Sequence, residues 1–252
     1  MFTPKKKLGQ NFLKNKHKIK EMVKALDPKE GEVVVEIGPG LGAVTEVLID
    51  NYGHSDMLIK AVEIDVRFVD KLINVYADYE KFEVIEANVL NWLPTFDPVN
   101  RNFRIIGSLP YYITSPIIHE IIMMKKLPEV CILLIQKEVA QKISRKSPKS
   151  SYIATFVQTF FEVEYKGKVD KGDFSPVPKV DGGVLKLTKR PDIKIDDITK
   201  YEGFLHRAFS NPRKMLNKVF HQDELNRAGL SGKARAQEYS WEKWYKAFKI
   251  LV

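Results

Sequence analysis

Cysteine is almost absent from this chain: Cys131 is the only one in 252 residues. A disulfide within the chain and a cysteine-rich metal site are therefore excluded, and a reducing compartment, the cytoplasm, is expected. Long apolar runs are missing too, since no stretch approaches the roughly 18–20 residues that span a bilayer. The lysine-rich N-terminus has no apolar segment after it, which is not typical of a signal peptide. We predict no membrane association and, because the histidines show no metal-ligand spacing, no metal site.

Acidic residues are outnumbered, with 32 Asp and Glu against 41 Lys and Arg and a net charge of +9. Such a balance favours a polyanionic partner, because Lys and Arg neutralise phosphates and release their counterions. Three segments contain basic residues and no acid: 1–20, 142–152 and 205–220. Their distribution indicates a nucleic-acid partner. The candidate RNA contacts are Lys5, Lys6, Lys7, Arg145, Lys146, Arg207, Arg213 and Lys214.

Strands and helices alternate over the first 150 residues. Apolar, often β-branched runs predict buried strands, and patterns of helical spacing separate most of them. This alternation predicts an α/β protein with a doubly wound parallel sheet. The predicted strands are 32–38, 58–65, 82–88, 103–110 and 129–136.

The pattern changes after residue 151. Two strands without a helix between them, 162–169 and 180–189, predict an antiparallel pair at the sheet edge. From about residue 189 onward only helical periodicity is present. We therefore predict two domains, 1–188 and 189–252, a division that the chain length permits.

Three glycines, Gly38, Gly40 and Gly42, follow a predicted buried strand and precede a helix. Glycines there let backbone amides approach a ligand at a helix N-terminus. Glu63 ends the next strand, 21 residues after Gly42, where an acidic residue binds a ribose. With Glu36 the segment becomes E-x-G-x-G-x-G, which is similar to the S-adenosylmethionine pattern and differs from the dinucleotide pattern G-x-G-x-x-G.

Residues 105–118, IIGSLPYYITSPII, end another strand at the same carboxyl edge, where open α/β sheets bind ligands. Here the chain resembles the N6-adenine methyltransferases, whose signature is [N/D/S]-[P/L/I]-P-[Y/F/W], and more specifically the rRNA adenine dimethyltransferases. The resemblance covers most of the chain. It includes LGQNFL (8–13), EIGPGLG (36–42), VEID (62–65), QKEVAQKI (136–143), FSPVPKVDGGVLKL (174–187), FSNPRKMLNKVF (209–220) and ARAQEYSWEKW (234–244).

This resemblance implies a Rossmann-like S-adenosylmethionine-dependent methyltransferase domain followed by a small all-helical C-terminal domain. It assigns a segment that closes over the cofactor to the N-terminus, the methionine moiety to two glycines and the ribose to Glu63. Asn88 takes the position that contacts the cofactor's adenine edge. The cofactor-binding residues implied are Gln10, Asn11, Leu13, Gly38, Gly40, Glu63, Asn88 and Ser108.

The resemblance also implies a clamp for the target base. Ser108 and the Leu109 carbonyl would accept hydrogen bonds from the adenine amino group, and Pro110 would keep that carbonyl rigid. Tyr111 and Phe174 would stack on either side of an adenine flipped out of the RNA. These five residues are the predicted catalytic set.

The implied reaction is dimethylation of adenine N6 near the 3′ end of small-subunit rRNA, by a monomer acting on a pre-ribosomal subunit. Two alternatives stay open. One is the related large-subunit rRNA methyltransferase that confers macrolide resistance. The other is a non-catalytic ribosome-assembly or transcription factor on the same fold, which is favoured by two departures from the family: Ser108 replaces its Asn and Asn88 its Asp.

We expect Ser108→Asn to raise the rate of methyl transfer severalfold. Serine is shorter than asparagine, so its hydrogen bond to the adenine amino group is longer or water-bridged, and one better hydrogen bond is worth about 1 kcal/mol. Labelled methyl transfer from S-adenosylmethionine to undermethylated small subunits measures the effect. An unchanged or lower rate would contradict this interpretation of Ser108.

Overall fold

The computed structural model describes residues 3–5 and 8–252. They form two compact units. The first runs to Ala140 and includes Glu164–Lys189, and the second comprises Gln141–Val163 and Arg190–Val252. We describe each unit separately.

Nine strands and ten α-helices occur in the described residues. The strands are β1 (Phe12–Leu13), β2 (Val33–Ile37), β3 (Leu58–Glu63), β4 (Phe82–Glu86), β5 (Phe103–Ser108), β6 (Val130–Gln136), β7 (Phe161–Val169), β8 (Phe174–Ser175) and β9 (Gly182–Lys189). The helices are α1 (Lys16–Leu26), α2 (Ala43–Tyr52), α3 (Val66–Val75), α4 (Val89–Trp92), α5 (Thr114–Met123), α6 (Lys137–Ser144), α7 (Tyr152–Phe160), α8 (Ile198–Ala208), α9 (Gln222–Ala228) and α10 (Trp241–Leu251).

Seven of the strands form one sheet in the order β4-β3-β2-β5-β6-β9-β7. The five from β4 to β6 pair in parallel, as the alternation predicts, and β9 pairs antiparallel with β6. The two strands predicted after residue 151 are neighbours, with β7 at the edge. Every residue of β2 is buried, because helices cover a parallel sheet on both faces.

The strand order reverses at β2, whose neighbours are β3 on one side and β5 on the other. Ligands of open α/β sheets bind in the crevice at the carboxyl ends of strands where the order reverses. Ile37, the last residue of β2, lies opposite Gly107 of β5. The glycine segment and the S-L-P-Y segment therefore begin next to each other.

The strands predicted over 58–65, 82–88 and 103–110 each end two residues earlier than expected, and the last two show a local reason. The strand predicted over 82–88 stops at Glu86, because the Asn88 side chain accepts a hydrogen bond from the Leu90 N–H (3.0 Å) and begins α4. The strand predicted over 103–110 stops at Ser108, because Pro110 has no N–H for a ladder and a 3-10 turn follows.

The second unit is helical and includes a segment that the sequence prediction placed in the first domain. Within it, α7 packs against α8 and α10. The Thr159 and Tyr201 hydroxyls share a hydrogen bond of 2.7 Å, and the Gln158 amide donates to the Ile143 carbonyl at 2.8 Å. These contacts group residues 141–163 with the C-terminal helices, so the first domain is not the continuous range 1–188.

Across the described ranges, no helix has the length and apolarity needed to cross a bilayer.

A buried ion pair in the first unit provides a test of the fold. Arg104 donates to the Glu32 carboxylate at 2.5 Å and to the Leu26 carbonyl at 2.8 Å. We expect Arg104→Met to lower the free energy of unfolding by about 3 kcal/mol, since it leaves the Glu32 charge buried without its partner. Urea unfolding measures the loss. Lys81→Met, which removes an exposed pair with Asp56, is the control and is expected to cost less than about 1 kcal/mol.

Candidate active site

A cavity of about 980 Å³ opens at the carboxyl ends of β2 and β5 in the first unit. Its size is at the upper end of the range of small-molecule sites. All of the residues predicted to bind the cofactor or the target base line it. They are Gln10, Asn11, Leu13, Gly38, Gly40, Glu63, Asn88, Ser108, Leu109, Pro110, Tyr111 and Phe174.

The glycine loop after β2 is held in a conformation that other residues rarely adopt. Gly38, Gly40 and Gly42 have φ of +66°, +53° and +88°. A Cβ at Gly40 would lie 2.9 Å from the ring of Phe12. The loop therefore requires glycine both for its backbone and for the close approach of the N-terminal segment.

Glu63 connects this loop to the end of β3. One carboxylate oxygen accepts the Gly40 N–H (3.0 Å), and the other accepts the N–H groups of Ile64 (2.8 Å) and Asp65 (2.9 Å). Burial raises the pKa of Glu63 despite these bonds. Three of about four acceptor positions are used, so the carboxylate is fixed in place and retains room for a ligand hydroxyl.

Glu36 lies beneath the glycine loop and is only 2% exposed. The Thr45 hydroxyl, in the first turn of α2, donates to it at 2.7 Å. Burial raises the pKa of Glu36 to about 7, and the nearby negative charge of Glu63 adds to the shift. This hydrogen bond ties the end of β2 to the start of α2, on either side of the loop.

The N-terminal segment is attached to the cavity by Asp65, whose side chain is fully buried. Its carboxylate accepts hydrogen bonds from Arg67 (2.7 Å), Gln10 (2.9 Å) and Lys5 (3.1 Å). These hydrogen bonds, above all the one from Arg67, hold the pKa of Asp65 well below its usual range. Asp65 was not among the predicted site residues, although it belongs to the VEID motif.

The same N-terminal segment reaches Phe174. Strand β1 pairs with β8, placing Leu13 opposite Phe174, and the Lys14 N–H donates to the Asp173 carbonyl at 2.8 Å. Phe174 is only 2% exposed. Phe12, the other residue of β1, lies with its ring against Gly40 of the glycine loop. One short segment therefore contacts both the loop and the predicted base clamp.

The S-L-P-Y segment is fixed largely through its backbone. The Leu109 N–H donates to the Leu134 carbonyl (2.9 Å), and the Pro110 carbonyl accepts the Ile113 N–H (3.2 Å) in the 3-10 turn. The Tyr111 hydroxyl is buried and has no hydrogen-bond partner among residues 3–5 and 8–252. Burial raises the pKa of Tyr111, so the phenol is neutral near pH 7. Tyr111 can therefore offer its ring for stacking but cannot act as a general base.

The predicted RNA contacts differ in their surroundings. Lys5 is ion-paired with Asp65, and Lys6 and Lys7 lie outside the described residues. Arg207 pairs with both Glu224 oxygens at 2.7 Å and stacks over the Phe220 ring at 4.3 Å. This geometry is that of a structural arginine.

Four predicted contacts are exposed in the second unit: Arg145, Lys146, Arg213 and Lys214. An isolated bridge joins Met215 to Arg235, whose Nε donates to the Arg213 carbonyl at 3.2 Å, and the exposed Lys233 lies two residues before Arg235. Sequence reasoning missed this second pair, because it lies after the acid-free segment ends at residue 220. The G-K-A-R spacing of 232–235 was the available signal.

Known proteins are similar to this chain along nearly its whole length. The family model described as ribosomal RNA adenine dimethylase matches residues 1–252. The chain is 34% identical over 253 residues to the ribosomal RNA small subunit methyltransferase A of Sulfurihydrogenibium sp. (strain YO3AOP1), covering 98% of this chain and 96% of the relative. It is 33% identical over 251 residues to the protein of the same name from Persephonella marina (strain DSM 14350 / EX-H1), covering 98% and 93%.

Two solved structures are similar along nearly their whole length. The 23S rRNA methyltransferase ErmE has a TM-score of 0.73 at 26% identity, covering 95% of this chain and 99% of that one. A dimethyladenosine transferase from Plasmodium falciparum has a TM-score of 0.78 at 21% identity, covering 94% and 95%. The second likeness supports the Rossmann-like methyltransferase fold alone.

The buried carboxyl of Glu36 makes stability depend on pH. Between about pH 4.5 and 7 the folded protein keeps a proton on Glu36 that the unfolded chain releases, so stability falls as the pH rises through this window. Over the whole window the free energy of unfolding falls by about 3 kcal/mol. We expect Glu36→Gln to remove most of this fall, because glutamine accepts the Thr45 hydrogen bond without titrating.

Urea unfolding at pH 5 and pH 8 measures the difference for both proteins. Glu46→Gln, at an exposed position on the same helix as Thr45, is the control and is expected to behave like the unaltered chain. An equal fall in stability in Glu36→Gln would show that this carboxyl is not responsible.

Proposed function

Because this chain belongs to the ribosomal RNA adenine dimethylase family, we propose that it transfers methyl groups from S-adenosylmethionine to the N6 atoms of adenines near the 3′ end of small-subunit rRNA. Two transfers to each adenine would give dimethyladenosine. The observation that carries this proposal is the cavity at the strand-order reversal, which is lined by all twelve residues predicted for cofactor and base.

The cavity fits S-adenosylmethionine. Gly38 and Gly40 would let the methionine moiety lie against the loop backbone, since neither has a side chain and a Cβ at Gly40 would meet the Phe12 ring. Glu63 has an acceptor position left for the ribose hydroxyls. The Asn88 side-chain oxygen accepts the Leu90 N–H. Its second lone pair and the side-chain NH₂ group remain for the adenine edge. When bound, the cofactor supplies an electrophilic methyl group on a positively charged sulfur.

The residues of the clamp would act by orienting the target. The N6 lone pair of adenine is delocalised into the ring, so the amino group is a weak nucleophile and nearly a non-base. Ser108 and the Leu109 carbonyl accept its N–H bonds and direct the lone pair toward the methyl group. N6 would form the new bond to carbon as the carbon–sulfur bond breaks, its electron pair passing to sulfur so that S-adenosylhomocysteine leaves. N6 would then lose one proton to solvent, so no strong base is required. Catalysis is chiefly positioning.

Stacking would offset the cost of extracting the base. Removing a nucleotide from an RNA stack costs a few kcal/mol, and stacking on an aromatic side chain returns about 1–3 kcal/mol per base. Tyr111 and Phe174 line the same cavity and supply the two aromatic faces.

We further propose that Arg145, Lys146, Arg213 and Lys214 contact RNA phosphates, together with the neighbouring Lys233 and Arg235. The ion pairs of Lys5 and Arg207 favour structural roles for these two residues. The substrate would be rRNA within a pre-ribosomal small subunit, and the protein would act on it as a cytoplasmic monomer.

A second candidate function is methylation of large-subunit rRNA, which the likeness to ErmE at 26% identity supports. The relatives at 34% and 33% identity are named as small-subunit enzymes and favour the first candidate.

The test is labelled methyl transfer from S-adenosylmethionine to undermethylated small subunits, with large subunits in parallel, followed by nucleoside analysis. We expect dimethyladenosine in the small-subunit RNA only. Gly40→Val is the control, because its side chain would collide with Phe12 and should abolish incorporation if the activity resides in this cavity. Label in large-subunit RNA alone would favour the second candidate. Cofactor binding without transfer would indicate a non-catalytic assembly factor.

A further inference from the structure

The chain has two successive tyrosines after Pro110, and the proposed reaction uses only the first. Both lie in a 3-10 turn, Tyr111–Ile113, in which successive side chains point about 120° apart. The Tyr111 hydroxyl is buried, whereas Tyr112 is 61% exposed. Tyr112 nevertheless lines the same cavity, so its ring is at the cavity's rim.

The Tyr112 ring is held in place on one edge. A Cβ at Gly9 would lie 3.2 Å from Cε1 and 3.4 Å from Cδ1 of this ring, and 3.4 Å from Cβ of Pro110. Gly9 has φ of +61°, a conformation that glycine adopts freely. The ring therefore rests on the backbone of Gly9, beside Pro110, and the remainder faces solvent.

An exposed, supported aromatic ring at the rim of a base-binding cavity has the properties of a stacking platform. Every nucleobase has a π-face, so an aromatic side chain binds single-stranded RNA with little dependence on sequence. Tyr111 and Tyr112 are joined by one peptide, with Cα atoms about 3.8 Å apart. A strand whose adenine enters the cavity beside Tyr111 must pass Tyr112 with its next base.

We propose that Tyr112 stacks on the base adjacent in the RNA to the adenine that enters the cavity. This proposal rests on the proposed function, since it takes RNA as the substrate. Extraction of the target leaves its neighbour without a stacking partner, and the Tyr112 ring replaces that partner. Tyr112 would thus strengthen RNA binding without contacting the cofactor or the reacting atoms.

The test uses a single-stranded RNA with 2-aminopurine next to the target adenosine, since the fluorescence of this base falls when it stacks. We expect the unaltered protein, Tyr112→Phe and Tyr112→Trp to quench the probe. Tyr112→Ala should quench little and bind the RNA about tenfold more weakly, while the Kd for S-adenosylmethionine stays within twofold in all variants. Val177→Ala is the control, because Val177 is equally exposed at 62% and does not line the cavity.

Equal quenching and affinity in Tyr112→Ala would overturn the proposal, as would a probe that the unaltered protein leaves unquenched at saturation. The same variants are assayed for methylation of small subunits. If the unaltered protein methylates and Tyr112→Ala has the same KM for the subunit, the stacking role fails and the proposed function stands. If quenching depends on Tyr112 but no subunit is methylated, the proposed function fails and the stacking role stands.

Discussion

The parallel pairing of β2 with β5 is the constraint on which the site depends. The chain places β3 and β4 on one side of β2 and then returns to place β5 on the other side. The carboxyl ends of β2 and β5 therefore lie next to each other. A Cβ at Gly107 would lie 2.7 Å from the Ile37 carbonyl oxygen. Glycine at this position allows the strands to close, and the glycine loop and the S-L-P-Y segment then face one cavity.

Residues 10–13, which are distant in sequence, line the cavity together with the glycine loop and the S-L-P-Y segment. Gln10 is held by Asp65, Phe12 packs against the glycine loop, and Leu13 pairs with Phe174. A buried carboxylate such as that of Asp65 is tolerated only when it is well paired, and Arg67 and Lys5 provide the charges. Because this segment contacts both the glycine loop and Phe174, its placement affects both sides of the cavity at once.

The parts of the site that the sequence could predict are local ones. The glycine loop follows one predicted strand and Glu63 ends the next, and the parallel-sheet rule then brings the ends of these strands together. The contacts of Asp65 could not be predicted, because Gln10 is 55 residues away and no periodicity links them. Strands β1 and β8 have two residues each, too few to show an alternating pattern.

The assignment of residues 141–163 shows the same limit at the scale of a domain. Helix α7 has an ordinary apolar pattern that would suit either unit, and only its contacts with α8 and α10 decide the matter. Clusters of charged residues that come together only in the folded chain are equally hard to predict from the sequence. The bridge from Met215 to Arg235 joins two basic segments that the acidic residues between them conceal in the sequence.

The two departures from the family pattern bear on parts of the site that depend more on backbone than on side chains. Asparagine and aspartate are equally good N-caps, so Asn88 can begin α4 just as the family's Asp would, and only the charge toward the cavity differs. The segment after Ser108 is fixed by the Leu109 N–H and the turn at Pro110, neither of which involves the serine side chain. The Leu109 carbonyl therefore keeps its direction whichever residue precedes it. The proposed clamp would therefore retain one strong acceptor for an adenine amino group and vary only in the second.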